Sequence, residues 1–219
     1  GEDGPTHHGV FDLAYLRVLP NIRLLAPRDP EELRVMLRWA LEQDKPVAIR
    51  YARGGVMYGE PLGKGPKIAL GKSELIRPGA DVAILALGNL VYAALAATER
   101  LEAEGIQATV VNARFAKPVD EAMIRELAAR IGKLVTIEEA QVAGGFGSAV
   151  SETLDAAGLS GVPHLRIGLP DAFIEHGKRP ELLERCRLDP ENLARRITRW
   201  VQTVRATTSE LPLITEPSP

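Results

Sequence analysis

Short apolar runs alternate with segments of helical periodicity along nearly the whole chain, and this alternation restricts the fold more than any other feature. Residues 22–26 (IRLLA), 46–51 (PVAIRY), 81–87 (DVAILAL), 106–112 (IQATVVN), 133–138 (KLVTIE) and 164–168 (HLRIG) read as buried strands. Residues 9–19, 27–43, 89–104, 120–130, 148–157 and 191–204 carry helical spacing. Start and stop signals agree with that division. Asp29 precedes Pro30, with Glu32 three residues after the cap; Asp120 caps its helix; Gly105 and Gly158 follow helix ends. Strand–helix alternation implies parallel sheets covered by helices, hence an α/β fold.

Residues 54–72 break the pattern. They are rich in glycine, carry Pro61 and Pro66, and show weak periodicity, as a connection between two α/β lobes does. The chain has 219 residues, enough for one or two domains with a sizeable core. A net charge of -2 gives no nucleic-acid footprint and no anionic-membrane surface. No apolar run approaches the ~20 residues that span a bilayer. The single cysteine, Cys186, rules out an intrachain disulfide and fits a reducing, cytoplasmic setting. The first residue is Gly1, with no basic or apolar leader, and the chain opens directly on a glycine- and histidine-rich loop. The expectation is a C-terminal piece of a longer protein.

Three constellations could carry chemistry. In GEDGPTHHG, Gly4 and Pro5 force a turn that can bring Asp3 and His7 to one side of a loop. A carboxylate beside an imidazole tunes its basicity and orientation for proton transfer. The alternatives are a surface loop with incidental histidines, or a metal site. The metal reading lacks a third ligand nearby and any HExxH or CxxC spacing. Second, Arg50 and Arg53 in RYARGG stand at the end of a predicted strand, where ligands gather in open α/β sheets. An arginine with flanking glycines suits a phosphate, although an arginine paired with a surface carboxylate is the commoner case. Third, Gly144, Gly145 and Gly147 precede a helix, which could hold an anion; the favoured reading is a tight turn with Ser148 as helix cap. Glu138 and Glu139 are adjacent in a strand and face opposite ways, so they are no obvious acid/base pair. His164 and His176 are isolated and read as structural. The Arg/Glu runs at 179–187 and 195–199 read as solvated helix faces.

The segment GEDGPTHHGVFDLAYLRVLPNIRLLAPRDPEEL resembles the pyrimidine-domain motif of the transketolase superfamily. Its continuation HHGVFDLAYLR, with IRYARGG, NARFAKPVDE, EEAQVAGGFGSAV and IGLPDAFIEHG, is similar to the deoxyxylulose-phosphate synthase family in particular. These motifs run in that family's order over residues 1–177. The resemblance implies the end of a parallel-sheet pyrimidine-binding domain at 1–56. A transketolase C-terminal α/β domain with a mostly parallel sheet follows at 57–205, and then a flexible tail at 206–219. It implies condensation of pyruvate with glyceraldehyde 3-phosphate and loss of carbon dioxide, an early step toward isoprenoid precursors, thiamine and pyridoxal. Thiamine diphosphate and Mg2+ would serve the complete enzyme. The Gly-Asp-Gly diphosphate motif, the metal-binding Asp/Asn residues and the cofactor-activating glutamate have no counterpart in this sequence, so the chain alone is expected to be inactive. Carried over by position, Asp3 and His7 match residues that contact substrate hydroxyls and reacting oxygens. Arg53 matches the arginine on the substrate phosphate. His8 stands where relatives have His or Gln, and Ala52 where they have proline. The resemblance also implies a homodimer. Competing readings are a fragment of transketolase itself, of a 2-oxo-acid dehydrogenase β subunit, or a non-catalytic dimerisation or regulatory module.

Overall fold

The computed structural model describes residues 1–63, 65 and 67–209. The first part of the chain forms α1 (Asp12–Arg17), β1 (Arg23–Leu25), α2 (Pro30–Leu41) and β2 (Val47–Ile49). Helix α2 begins where its local signals place it. Asp29 is extended (φ -152°) and its carboxylate accepts the Glu32 N–H at 2.8 Å, while Pro30 fills the first turn, where no N–H is needed. Strands β1 and β2 pair in parallel, with Arg23 opposite Val47 and Leu25 opposite Ile49.

The second part forms β3 (Glu74–Arg77), β4 (Val82–Ala86), α3 (Leu90–Ala103), β5 (Ala108–Asn112), β6 (Phe115–Lys117) and α4 (Glu121–Arg130). It continues with β7 (Leu134–Gln141), α5 (Phe146–Ala156), β8 (His164–Leu169), α6 (Arg179–Arg185) and α7 (Pro190–Ser209). Five of these strands make a sheet in the order β3-β5-β4-β7-β8. Its β5, β4, β7 and β8 are parallel, and β3 lies antiparallel on the edge. The two-residue period of β4 shows why both faces are covered. Val82, Ile84 and Ala86 pack with Leu90, Leu101, Ile197 and Val201 of α3 and α7. Ala83 and Leu85 pack with Ile124, Leu127, Val150 and Leu154 of α4 and α5. Burying one such Ile or Leu side chain stabilises by ~1.5–3 kcal/mol, so each face is held by many separate contributions.

The α/β class and the parallel-rich sheet are as expected. Two strands were not anticipated. β3 is a short mixed edge strand. β6 turns away from the five-stranded sheet at Arg114, whose φ is 58°, and pairs antiparallel with β1. The first sheet is therefore β2-β1-β6, completed by a strand from beyond the glycine-rich connection. Helix α5 starts earlier than expected, at Phe146 with Gly145 as its N-cap, so Ser148 is not the cap. Helix α7 runs on to Ser209, past position 205; residues 210–219, most of the tail expected at 206–219, lie outside the described residues.

Charged side chains seal the junction of the two parts. Arg28 and Arg114 are each 2% exposed. Arg28 bonds Asp29 and Glu74, and Arg114 bonds Glu32 at 2.7 Å and Glu74 at 2.8 Å. The Asn112 amide donates to Glu32 at 2.8 Å and the Tyr92 hydroxyl to Asp29 at 2.7 Å. Buried charge costs several kcal/mol per ion unless paired. The interlocking of acids from α2 and β3 with arginines that follow β1 and β5 meets that requirement.

Candidate active-site cleft

The opening loop folds back on itself. Gly4 adopts φ 79°, and the His7 N–H donates to the Gly4 carbonyl at 3.0 Å. The loop is tied to the second part of the chain by the Gly177 N–H, which reaches the Gly1 carbonyl at 3.2 Å. The His8 Nε2 lies 3.0 Å from that same carbonyl. Across from the loop, residues 50–53 leave the carboxyl end of β2. Together they line a cleft of about 780 Å³ that includes Asp3, His7, Arg50, Arg53, Glu139 and Arg179.

The three residues singled out from the sequence therefore share one cleft. Their pairing differs from the expectation in one respect. The Asp3 carboxylate does not bond His7; it accepts from the Arg53 guanidinium at 2.7 Å. That hydrogen bond and the Arg53 charge hold the Asp3 carboxyl below the usual carboxylate range. His7 instead has its Nδ1 2.8 Å from the Thr6 hydroxyl. A short loop offers several partners to each polar side chain, and the exposed guanidinium is the strongest donor within reach of Asp3.

Residues 71–193 match the family model of the transketolase C-terminal domain, and residues 1–57 match that of the transketolase pyrimidine-binding domain. This chain belongs to the transketolase family. Within it, the chain is similar to 1-deoxy-D-xylulose-5-phosphate synthases. It is 50% identical over 204 residues to that of Thermomicrobium roseum, covering 93% of this chain and 32% of the relative. It is 47% identical over 203 residues to synthase 1 of Geobacter metallireducens, covering 92% and 32%. The chain spans about a third of the length of these curated relatives. Among solved structures, a split-gene transketolase described as an inactive beta4 tetramer superposes with a TM-score of 0.78 at 35% identity, over 91% of this chain and 62% of that one. A transketolase variant of Pichia stipitis superposes with a TM-score of 0.67 at 26% identity, over 94% and 29%.

In this transketolase-family chain Glu139 of β7 forms part of the cleft wall, and the adjacent Glu138 does face the opposite way. Glu139 faces the cleft and accepts from the Arg179 Nε at 2.9 Å and Nη2 at 2.6 Å. Burial pushes its pKa up, but the Arg179 hydrogen bonds and the charges of Arg50 and Arg179 outweigh it and hold the group below its ordinary value. Arg50 reaches the Glu139 carbonyl at 2.7 Å. Arg179 thus corrects the expectation for 179–187: its guanidinium is tucked into the cleft rather than solvated, with 16% of the side chain exposed. An Arg/Glu-rich helix start carries no local mark of this, because the partner comes from another strand.

Glu138 points away from the cleft into the core, 1% exposed. It accepts the N–H groups of Phe146 at 2.7 Å and Gly147 at 2.8 Å. The group that accepts from the start of α5 is the chain's own Glu138 carboxyl. A Cβ at position 145 would stand 2.2 Å from the Glu138 Oε2, so the glycine there makes room for it. Burial pushes the Glu138 carboxyl up to about 7 in spite of its two N–H donors. Ser148 serves the turn instead, accepting from the Gly144 N–H at 3.1 Å and donating to the Val142 carbonyl at 3.2 Å. His164 is enclosed between the Thr136 and Ser151 hydroxyls, each at 3.0 Å, and burial with the Arg166 charge holds it down at about 4. It is a neutral ring with two partners, in keeping with a structural role.

Proposed function

We propose that this chain supplies the pyrimidine-binding and C-terminal parts, near 1–56 and 57–205, of a 1-deoxy-D-xylulose-5-phosphate synthase. Its reaction is the condensation of pyruvate with glyceraldehyde 3-phosphate and loss of carbon dioxide, feeding isoprenoid-precursor, thiamine and pyridoxal synthesis. The convergence of Asp3, His7 and Arg53 on one cleft carries the proposal, in a chain about half identical to those synthases. In this scheme Arg53 anchors the substrate phosphate, a task suited to a fixed guanidinium at the carboxyl end of a strand. The phosphate competes with the Asp3 carboxylate for that guanidinium, so substrate entry releases Asp3 toward the substrate's hydroxyls. His7 carries protons to and from oxygens at the reacting carbon.

Thiamine diphosphate, when bound, supplies the carbanion chemistry. The residues of this chain do not by themselves fit its metal and diphosphate. Among the described residues no group of three or more His, Cys, Asp or Glu could hold a metal ion. The proposal assigns Mg2+ and the diphosphate to the remainder of a longer, homodimeric, cytoplasmic protein, and the isolated chain is inactive. Among the described residues, no helix is long and apolar enough to cross a membrane.

The test uses the complete enzyme. Arg53→Ala raises KM for glyceraldehyde 3-phosphate about ten- to hundredfold and spares pyruvate, as the loss of a charge-assisted phosphate contact requires. His7→Ala lowers kcat about 10²–10⁴-fold with a smaller effect on phosphate binding. Wild-type kcat in His7→Ala would remove the acid/base assignment. Equal damage to both substrates in Arg53→Ala would remove the phosphate assignment.

A further inference from the structure

A second concentration of positive charge lies at the free edge of the five-stranded sheet and shares no lining residue with the cleft. Arg166 on β8, Arg185 at the end of α6, Arg187 in the following loop and Arg196 on α7 line a groove of about 560 Å³. Asp171 is the one acid lining it, and the Gln141 amide already bonds that carboxylate at 3.2 Å. An adjoining hollow of about 580 Å³ shares Arg185, Arg187 and Arg196 and adds Arg195, Arg199 and a single acid, Glu184.

These arginines differ from others in the chain. Arg17, Arg28, Arg53, Arg77, Arg114, Arg179 and Arg205 each hold a carboxylate. Arg166, Arg187 and Arg196 hold none within 4.0 Å among the described residues, and Arg185 meets Glu175 only at 4.0 Å. Arg196 is half-buried, and the polar contact of its guanidinium is the Arg187 carbonyl at 3.5 Å. Burial, and then the Arg187 charge, hold its pKa below the ordinary arginine value. In a protein with a net charge of -2, arginines gathered around fewer acids repel one another, an energy that a bound anion would remove. Arg166 alone could be explained as a charge that keeps an edge strand from pairing with another chain. That explanation does not extend to Arg187 and Arg196, which come from a loop and a helix.

We propose that this groove is a binding site for a phosphorylated small molecule, separate from the catalytic cleft and independent of the reaction assigned to it. Its floor is the carboxyl ends of β7 and β8, where Gln141 and Leu169 lie, the side of an open α/β sheet on which ligands collect. Guanidinium groups from three elements suit a molecule with more than one phosphate, because each planar fork can take two oxygens.

The test is calorimetry of the chain with inorganic diphosphate at low salt. Saturable binding is expected, weakening as salt rises. It should fall at least tenfold in the double variant Arg187→Gln/Arg196→Gln, and the affinity of this groove should be kept in Arg53→Gln, which takes away only the separate phosphate contact of the cleft. Arg166→Gln, at an exposed edge position, provides a second variant should the double variant fail its circular-dichroism check, and it should also weaken binding. No saturation by millimolar diphosphate overturns the proposal, as does equal affinity in the groove variants. Loss of binding in Arg53→Gln alone also overturns it, because the anion then sits in the cleft. A poly-glutamate peptide that binds through Arg187 and Arg196 while diphosphate does not overturns the small-molecule assignment in favour of an acidic protein partner.

Discussion

Glu138 and His164 make opposite demands on pH, and separating them tests how burial and hydrogen bonding compete in this core. Glu138 holds its proton up to about 7 in the folded chain, against an ordinary 4.5. Its contribution to stability is therefore fully present below pH 4.5 and is lost as pH rises to about 7. At ~1.4 kcal/mol per tenfold change in proton affinity, the loss is ~3 kcal/mol. His164 is held down at about 4 against 6.5, so its contribution is present above pH 6.5 and is lost as pH falls through about 4, by a similar ~3 kcal/mol. Over the shared window, from about 4.5 to 6.5, the two slopes cancel. Glu138→Gln should uncover the histidine slope, with stability rising by ~3 kcal/mol as pH goes from 4.5 to 6.5. His164→Asn should uncover the opposite slope, and the double variant should be flat over that range. Urea unfolding followed by circular dichroism across this range measures all four proteins. A Glu138→Gln profile that parallels the wild type would refute the reasoning. It would mean that the Phe146 and Gly147 N–H groups at the start of α5 keep Glu138 ionised and outweigh its burial.

Asp29→Ala removes the α2 cap and strips Arg28 and Tyr92 of a buried partner. The expected loss is ~3–5 kcal/mol in urea unfolding, and a loss near the ~1 kcal/mol of a cap alone would show that the junction rearranges. Arg179→Ala takes both guanidinium bonds from a largely buried Glu139, leaving it the Arg50 charge and the Asn89 hydrogen bond, and should cost ~1–3 kcal/mol at neutral pH. Adding Glu139→Gln should recover much of that loss; failure to recover it would show that Arg179 acts through packing of its stem instead.

The parts of this fold visible in the sequence are those specified locally. β4 and β5 are buried at every position, so β4 is apolar throughout and β5 is interrupted only by Thr109 and Asn112, and Asp29 and Asp120 announce their helices because the cap and the N–H it accepts lie three residues apart. β6 is three residues long and is defined by a partner, β1, that lies far back in the chain, so no local period marks it. Ser148 was misplaced for a related reason: the group that caps α5 is Glu138, delivered from the neighbouring strand. In the cleft, Asp3, His7 and Arg53 were legible through motif resemblance, whereas the bond between Asp3 and Arg53 arises only when the loop closes over β2. Arg179 lay hidden because a charged helix start looks the same whether its partner is water or Glu139.

The strand that β1 receives from the far side of the glycine-rich connection changes what can be cut or exchanged in this protein. Severing the chain between β2 and β3 does not release two self-sufficient pieces. The leading piece keeps β1 with one side of its ladder open, and Arg28 loses Glu74. The trailing piece carries β6 with nothing to pair against, and Arg114 without Glu32. A chimera joined at that connection meets the same difficulty, since residues 115–117 and the arginine before them must suit the leading piece of one parent and the sheet of the other. The unit of recombination is accordingly larger than either matched domain, and junctions that transplant β6 and Arg114 together with β1 and α2 are the ones expected to yield folded hybrids.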